Sequence, residues 1–126
     1  MSFDKKVVII TGGASGIGLA TARKFGEQGA SLCVATSNQE KIDHAVPLLE
    51  KEGFDTIGVH VDVRKMHSVT EMVDKVMDRF GQIDILICSH GYSHFGDVVD
   101  QPEEEWINVL DVDLIGSYRC SKAVLP

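Results

Sequence analysis

The stretch Lys5-Lys6-Val7-Val8-Ile9-Ile10 runs directly into Thr11-Gly12-Gly13-Ala14-Ser15-Gly16-Ile17-Gly18, and residues 19–28 follow with a helix-forming composition. The apolar run predicts a strand, so the glycines lie in the turn between a strand and a helix. Glycine lets a pyrophosphate approach the backbone, and the helix that follows presents free N–H groups and its positive dipole end. A tight turn would also need glycine, but the strand and helix on either side favour a phosphate-binding loop.

Length, composition and charge restrict the class of protein. The chain has 126 residues, 44% of them hydrophobic, and a net charge of -7 at pH 7. This predicts one packed domain over residues 1–126 and argues against nucleic acid or an anionic membrane surface as the main partner. The sequence has no apolar stretch of membrane-spanning length, no signal peptide pattern, and three scattered cysteines, Cys33, Cys88 and Cys120. We therefore expect free thiols in a reducing compartment and a cytoplasmic protein.

Strands and helices alternate along the rest of the chain. Apolar runs predict three more strands, at residues 30–35, 56–61 and 83–88. Helical spacing predicts helices over about 39–52, with Pro47 inside, and over 68–80, opened by a capping box of Ser68 with Glu71.

The last segment predicts a loop over residues 89–101 and a helix from Pro102 towards Leu125. We expect that helix to break near Gly116 and to pack on the sheet through Trp106.

This alternation predicts an α/β fold, a Rossmann-like doubly wound parallel sheet of about four strands with flanking helices. In such sheets a ligand binds beyond the carboxyl ends of the strands, here at the switch between the first and the fourth. The residues expected at that edge are the turn at 12–18, Thr36, Asp62 and residues 88–91.

Together these motifs resemble the N-terminal half of a classical short-chain dehydrogenase/reductase. The resemblance covers essentially the whole chain and is carried by Thr11-Gly12-x-x-x-Gly16-Ile17-Gly18, Val61-Asp62-Val63, Asp84-Ile85-Leu86-Ile87, Gly116 and the ending Ala123-Val124-Leu125-Pro126. It implies an NAD(P)-dependent oxidoreductase with a small alcohol or carbonyl substrate, homo-oligomeric at full length, in which Asp62 hydrogen-bonds the adenine ring. The candidate cofactor-binding residues are Gly12, Ser15, Gly16, Ile17, Gly18, Thr36, Ser37, Asp62, Val63, Ser89 and Gly91.

Two positions depart from the family's pattern. Where the family has N-N-A-G, this chain has Cys88-Ser89-His90-Gly91. At the family's active-site asparagine it has Asp113, which is therefore the candidate catalytic residue. An ionised aspartate only accepts hydrogen bonds, whereas asparagine both donates and accepts, and aspartate adds a negative charge near the proton relay.

The family's catalytic serine and Tyr-x-x-x-Lys pair would lie downstream of Pro126. Tyr118 and Lys122 have the Tyr-x-x-x-Lys spacing but precede the expected serine segment, so we interpret them as a surface pair on a helix. We therefore expect a truncated chain that lacks the proton-transfer groups of the reaction. The alternative is a non-catalytic dinucleotide-binding fragment or interaction module.

Residues after the second predicted strand bear on the choice of cofactor. An acid there would favour NAD, but the chain has Ala35-Thr36-Ser37-Asn38. The hydroxyl groups and the helix start at Asn38 could receive a phosphate, yet Ser15 and Ser37 stand where NADP-preferring relatives often have basic residues. We favour NADP slightly over NAD, and an ordinary helix cap would also explain Thr36 and Ser37.

Cys88, His90 and His94 have a C-x-H-x-x-x-H spacing that resembles a metal site. No fourth ligand is evident, so we expect no metal. We interpret the segment as a loop beside the nicotinamide side of the cleft, where His90 and His94 could contact substrate.

Overall fold

The computed structural model describes residues 2–126, and its strands and helices alternate in the predicted order. The strands are β1 (Val7–Thr11), β2 (Ser31–Thr36), β3 (Thr56–His60) and β4 (Ile85–Cys88). The helices are α1 (Gly16–Glu27), α2 (Gln39–Lys51), α3 (Met66–Phe80), α4 (Glu103–Leu110) and α5 (Gly116–Val124), with a π-helical turn over Asp111–Ile115 between the last two.

All four strands form one parallel sheet in the order β3-β2-β1-β4. β1 is central, and its Ile9 lies opposite Cys33 of β2 and Leu86 of β4. The chain moves outward from β1 through β2 to β3 and then returns to the other side of β1. This reversal confirms the predicted doubly wound sheet and opens a crevice at the carboxyl ends of β1 and β4.

Helices cover both faces of the sheet, which explains why every residue of β1 is buried. Alternate residues of β1 face opposite sides: Val7 and Ile9 belong to one buried cluster, and Val8 and Ile10 to the other. The first cluster also contains Val69, Met72 and Val76 of α3 and Cys120 of α5. The second contains Ala22 of α1 and Leu49 of α2.

The predicted capping box at Ser68 is wrong. α3 begins earlier, at Met66, and its N-cap residue Lys65 makes no side-chain cap. The Ser68 hydroxyl instead accepts a hydrogen bond of 2.9 Å from the backbone N–H of Asp62. A side chain in the first turn of α3 therefore fixes the backbone at the end of β3.

Two further expectations about helices need correction. Trp106 is 51% exposed, and α4 has no buried residue, so Trp106 does not anchor that helix to the sheet. The irregularity expected at Gly116 lies just before it, in the π-helical turn. α2 continues through Pro47 to Lys51.

Within residues 2–126, no helix is long and apolar enough to cross a membrane.

Candidate functional site

A cleft of about 510 Å³ lies at the carboxyl ends of the four strands. The fold brings almost all of the predicted cofactor-binding residues to its lining, and only Gly16 is not part of it. Those that line it are Gly12, Ser15, Ile17, Gly18, Thr36, Ser37, Asp62, Val63, Ser89 and Gly91. The switch point of the sheet therefore holds the residues that the sequence singled out.

The glycines between β1 and α1 serve different purposes. Gly12 has a φ of 69°, and a Cβ there would lie 2.6 Å from the carbonyl oxygen of Ser89. A Cβ on Gly18 would collide with the carbonyl oxygen of Gly12, so Gly18 lets the helix pack on the turn. Gly16 has a φ of 56° and no atom within 4 Å of its Cβ position. The turn thus keeps open space beside Gly16, which fits a pyrophosphate cradle.

The N-terminus of α1 opens onto this space. Its N-cap residue Ser15 makes no side-chain cap, and its first turn contains no acidic residue. The backbone N–H groups of a helix's first turn have no partner within the helix. Because no carboxylate of that turn offsets the dipole, this end of the cleft favours an anion.

Polar side chains at the end of β2 form the next part of the cleft. The Thr36 hydroxyl accepts from the backbone N–H of Asn38 at 3.3 Å, and Asn38 Oδ1 caps α2 by accepting from the N–H of Lys41 at 3.1 Å. The Lys41 ammonium donates to Ser15 Oγ at 3.4 Å. Sequence reasoning missed Lys41 because it lies inside α2, and only the helical turn brings it back over the cleft.

At the end of β3, Arg64 engages the predicted adenine-binding residue Asp62. Asp62 Oδ1 accepts from the backbone N–H and from Nε of Arg64, both at 3.0 Å, and Oδ2 accepts from the guanidinium at 3.0 Å. This hydrogen bonding to Arg64 lowers the pKa of the Asp62 carboxyl. Arg64 also donates to Asn108 Oδ1 at 3.1 Å. Both residues line the cleft, although no sequence motif indicates either of them.

His90, after β4, uses both ring nitrogens inside the protein. Nε2 lies 3.1 Å from the carbonyl oxygen of Val112, and Nδ1 lies 2.7 Å from Thr11 Oγ1. Because a carbonyl only accepts, Nε2 carries the hydrogen in the neutral ring and Nδ1 accepts from the Thr11 hydroxyl. Burial lowers the pKa of His90, which favours this neutral form. His90 therefore links β1 to the π-helical turn, and no ring nitrogen is left over for substrate.

Gly116 lies next to His90, where the start of α5 approaches the sheet closely. A Cβ on Gly116 would lie 2.9 Å from Val63 Cγ2 and 3.1 Å from His90 Nε2. The start of α5 can therefore approach the sheet only without a side chain at that position.

Asp113, the candidate catalytic residue, lies in the π-helical turn but not in the cleft lining. Its Oδ1 accepts a 2.8 Å hydrogen bond from the backbone N–H of Tyr92. This carboxylate therefore anchors the loop that follows β4 by accepting from its backbone.

Neither tyrosine of the chain is paired with a lysine in the cleft. Tyr92 lines the cleft, but its hydroxyl donates to Glu105 Oε2 at 2.5 Å, and this bond raises the pKa of Tyr92. Tyr118 is 60% exposed, and the Lys122 ammonium lies 5.9 Å from its ring centroid. The geometry of Tyr118 and Lys122 agrees with a surface pair.

Among residues 2–126, no group of three or more His, Cys, Asp or Glu side chains is arranged to hold a metal ion. His90 is held by Thr11 and Val112, as described above, and Cys88 is exposed at the end of β4.

Comparison with known proteins assigns the chain to a family. The family model described as short chain dehydrogenase matches residues 6–126. The chain is 36% identical over 126 residues to a meso-2,3-butanediol dehydrogenase of Serratia marcescens, covering 100% of this chain and 49% of that protein. It is 36% identical to dehydrogenase/reductase SDR family member 4 of Bos taurus, covering 98% of this chain and 44% of that protein. The chain belongs to the short-chain dehydrogenase/reductase family.

Solved structures agree in fold. An actinorhodin polyketide ketoreductase solved with NADPH superposes with a TM-score of 0.92 at 31% identity, covering 95% of this chain and 46% of that protein. A xylitol dehydrogenase bound to NAD+ superposes with a TM-score of 0.93 at 32% identity, covering 98% of this chain and 48% of that protein. The chain spans about half the length of these relatives.

Proposed function

We propose that this chain is the dinucleotide-binding part of an NAD(P)-dependent oxidoreductase that transfers hydride between a nicotinamide and an alcohol or carbonyl substrate. The observation that carries the proposal is the cleft at the carboxyl ends of the strands, which Gly12, Ser15 and Gly18 line beside the N-terminus of α1. The relatives support the substrate class, because they include dehydrogenases of butanediol and xylitol and a ketoreductase.

The residues of the cleft fit such a cofactor from one end to the other. We propose that the turn at 12–18 binds the pyrophosphate, that Thr36 and Ser37 contact the adenosine ribose, and that Asp62 and Val63 bind the adenine. Ser89 and Gly91 then border the nicotinamide, which supplies the hydride donor or acceptor when the cofactor is bound. Asp62 can take this role beside Arg64 because each carboxylate oxygen has more than one acceptor site.

For Asp113 we propose a positioning role. Its bond to the Tyr92 N–H keeps the loop after β4 close to the start of α5. A carboxylate accepts there without the need for a donor, so aspartate serves this purpose as well as asparagine would.

NADP is the cofactor that we favour. The end of β2 carries hydroxyl groups and no acid, so nothing at that position repels a 2′-phosphate. We also propose a cytoplasmic location, from the scattered thiols, and homo-oligomerisation of the full-length protein; both remain predictions.

A second candidate is a dinucleotide-binding module without turnover. The observation that favours it is the hydrogen bond of Tyr92, a residue of the cleft lining whose hydroxyl donates to the Glu105 carboxylate. A tyrosine whose pKa is raised in this way is a poor proton-transfer group near neutral pH.

Substituting Gly16 tests dinucleotide binding with a matched control. Gly16→Asp places a carboxylate where the pyrophosphate would lie, and we expect the affinity for NADP and NAD in calorimetric titration to fall by more than about tenfold. Gly53→Asp is the control, because Gly53 also has a positive φ, 94°, and no atom within 4 Å of its Cβ position. Gly16 lies between the cleft-lining residues Ser15 and Ile17, whereas Gly53 precedes β3, at the opposite edge of the sheet. Equal affinities of the two variants would overturn the proposal.

A further inference from the structure

Two cations line the cleft, and they differ in their partners. Arg64 is paired with Asp62, with Nε 3.0 Å from Oδ1. Lys41 donates to the neutral hydroxyl of Ser15, and within residues 2–126 it forms no ion pair. Among the described residues that line the cleft, Asp62 is the only acidic one, and it is paired with Arg64, so no carboxylate of the lining compensates the charge of Lys41.

Two hydrogen bonds, one from the backbone and one from the side chain, direct Lys41 towards the cleft. Its backbone N–H is held by the Asn38 cap, and its ammonium reaches across from α2 to the N-cap residue of α1. Thr36 and Ser37 line the same part of the cleft. The ammonium and the two hydroxyl groups therefore surround the end of β2.

This set of groups suits a phosphate better than a ribose hydroxyl. A free 2′-hydroxyl is best recognised by a carboxylate that accepts from it, and no carboxylate lies at the end of β2. A phosphate dianion needs a cation and hydroxyl donors. The Thr36 hydroxyl oxygen already accepts from the Asn38 N–H, so the hydroxyl hydrogen is available for donation to a phosphate oxygen. Glu40 and Asp43 belong to α2, but neither lines the cleft.

We propose that Lys41 is the specificity-determining residue that selects a ribose 2′-phosphate, with Ser15 and Thr36 as its hydroxyl partners. The inference rests on the proposed function, because it requires that the adenosine half of a dinucleotide lies over β2. Lys41 supplies the cation that is missing at the motif positions, because Ser15 and Ser37 carry no charge.

Nucleotide fragments test this role without any catalytic readout. Adenosine 2′,5′-bisphosphate, adenosine 3′,5′-bisphosphate and 5′-AMP are titrated calorimetrically into the protein. We expect the 2′,5′ isomer to bind most tightly. In Lys41→Gln its affinity falls by about tenfold, and the affinity for 5′-AMP changes by less than about twofold.

Two variants separate the charge from the fold. Lys51→Gln removes an exposed lysine from the last turn of the same helix and should leave all three affinities unchanged. Lys41→Arg keeps the charge and should retain the preference for the 2′,5′ isomer. Equal affinities for the two bisphosphates, or a Lys41→Gln variant that keeps the preference for the 2′,5′ isomer, would overturn the proposed role of Lys41. If 5′-AMP still binds in that case, the dinucleotide site itself is upheld. Failure of all three nucleotides to bind would overturn the proposed function itself.

Discussion

At the scale of single residues, His90 shows what a substitution in a family motif can add. The ring replaces the small residue of the N-N-A-G pattern and bonds Thr11 on β1 and Val112 in the π-helical turn. Both bonds are satisfied by the neutral ring. Protonation would put a second N–H opposite Thr11 and force its hydroxyl to donate to the Ile87 carbonyl, which lies at a longer 3.4 Å.

The lowered pKa of His90 predicts a loss of stability in mild acid. Its ordinary pKa is 6.5, so near and below that pH the unfolded chain binds more protons than the folded chain. The free energy of unfolding therefore rises with pH in this window, and the contribution of His90 is lost as the pH falls through it. We expect melting temperatures to drop by a few degrees between pH 7 and pH 5, and His90→Gln to flatten that slope. The exposed His67, changed to Gln, is the control, and an equal flattening there would contradict the prediction.

At the scale of elements, the π-helical turn decides how the last third of the chain meets the sheet. The extra residue in Asp111–Ile115 places the Val112 carbonyl against His90 and the Asp113 carboxylate against the loop after β4. Such turns often occur at functional sites. Arg119 holds the turn from the other side: its guanidinium donates to the Val63 carbonyl at 2.9 Å and lies 2.7 Å from Asp111 Oδ1.

Arg119→Met is predicted to destabilise the fold. The Arg119 and Asp111 side chains are only 18% and 28% exposed, so removing the cation leaves a partly buried carboxylate and carbonyl unpaired. We expect a loss of about 1–3 kcal/mol in the free energy of unfolding, measured by urea denaturation. Arg23→Met removes the more exposed pair with Glu52, 34% and 36% exposed, and should cost no more than about 1 kcal/mol. Equal losses in the two variants would show that the turn does not depend on Arg119.

Elements and motifs were predictable from the sequence where a single period or a local motif decides them. The four strands, the glycine turn and the doubly wound order follow from apolar runs and glycine spacing. The contacts of the site join residues far apart in the chain, such as Lys41 with Ser15, Arg64 with Asn108, and His90 with Thr11. Periodicity carries no information on such side-chain directions, so Lys41, Arg64 and Asn108 were missed.

The errors have the same origin. Ser68 has the sequence context of a helix cap, but its hydroxyl is taken by the Asp62 N–H because the end of β3 lies beside it. A tertiary contact outweighed the local signal there. The aromatic character of Trp106 predicts packing against the sheet, yet the side chain is 51% exposed on α4.

At the scale of the whole molecule, the two lateral edges of the sheet differ in how far they are buried. β1 and β2 are covered by helices, whereas β4 is the edge strand beside β1 and none of its residues is fully buried. The helices after it also expose large apolar side chains, namely Trp106, Ile107, Leu110, Leu114 and Tyr118. An apolar edge and helix face of this kind favour association with further protein surface.

The 126-residue chain by itself is not expected to turn over substrate. Tyr92 is locked to Glu105 and Tyr118 is exposed outside the cleft, so the chain offers no tyrosine for proton transfer beside a bound nicotinamide. Because such groups are worth ~10²–10⁴-fold in rate, we expect no oxidation of alcohols or reduction of ketones above background in a nicotinamide absorbance assay, although the dinucleotide still binds. A Tyr118→Phe variant serves as the control. Turnover by the wild-type chain that disappears in Tyr118→Phe would contradict this prediction and identify Tyr118 with Lys122 as a working pair.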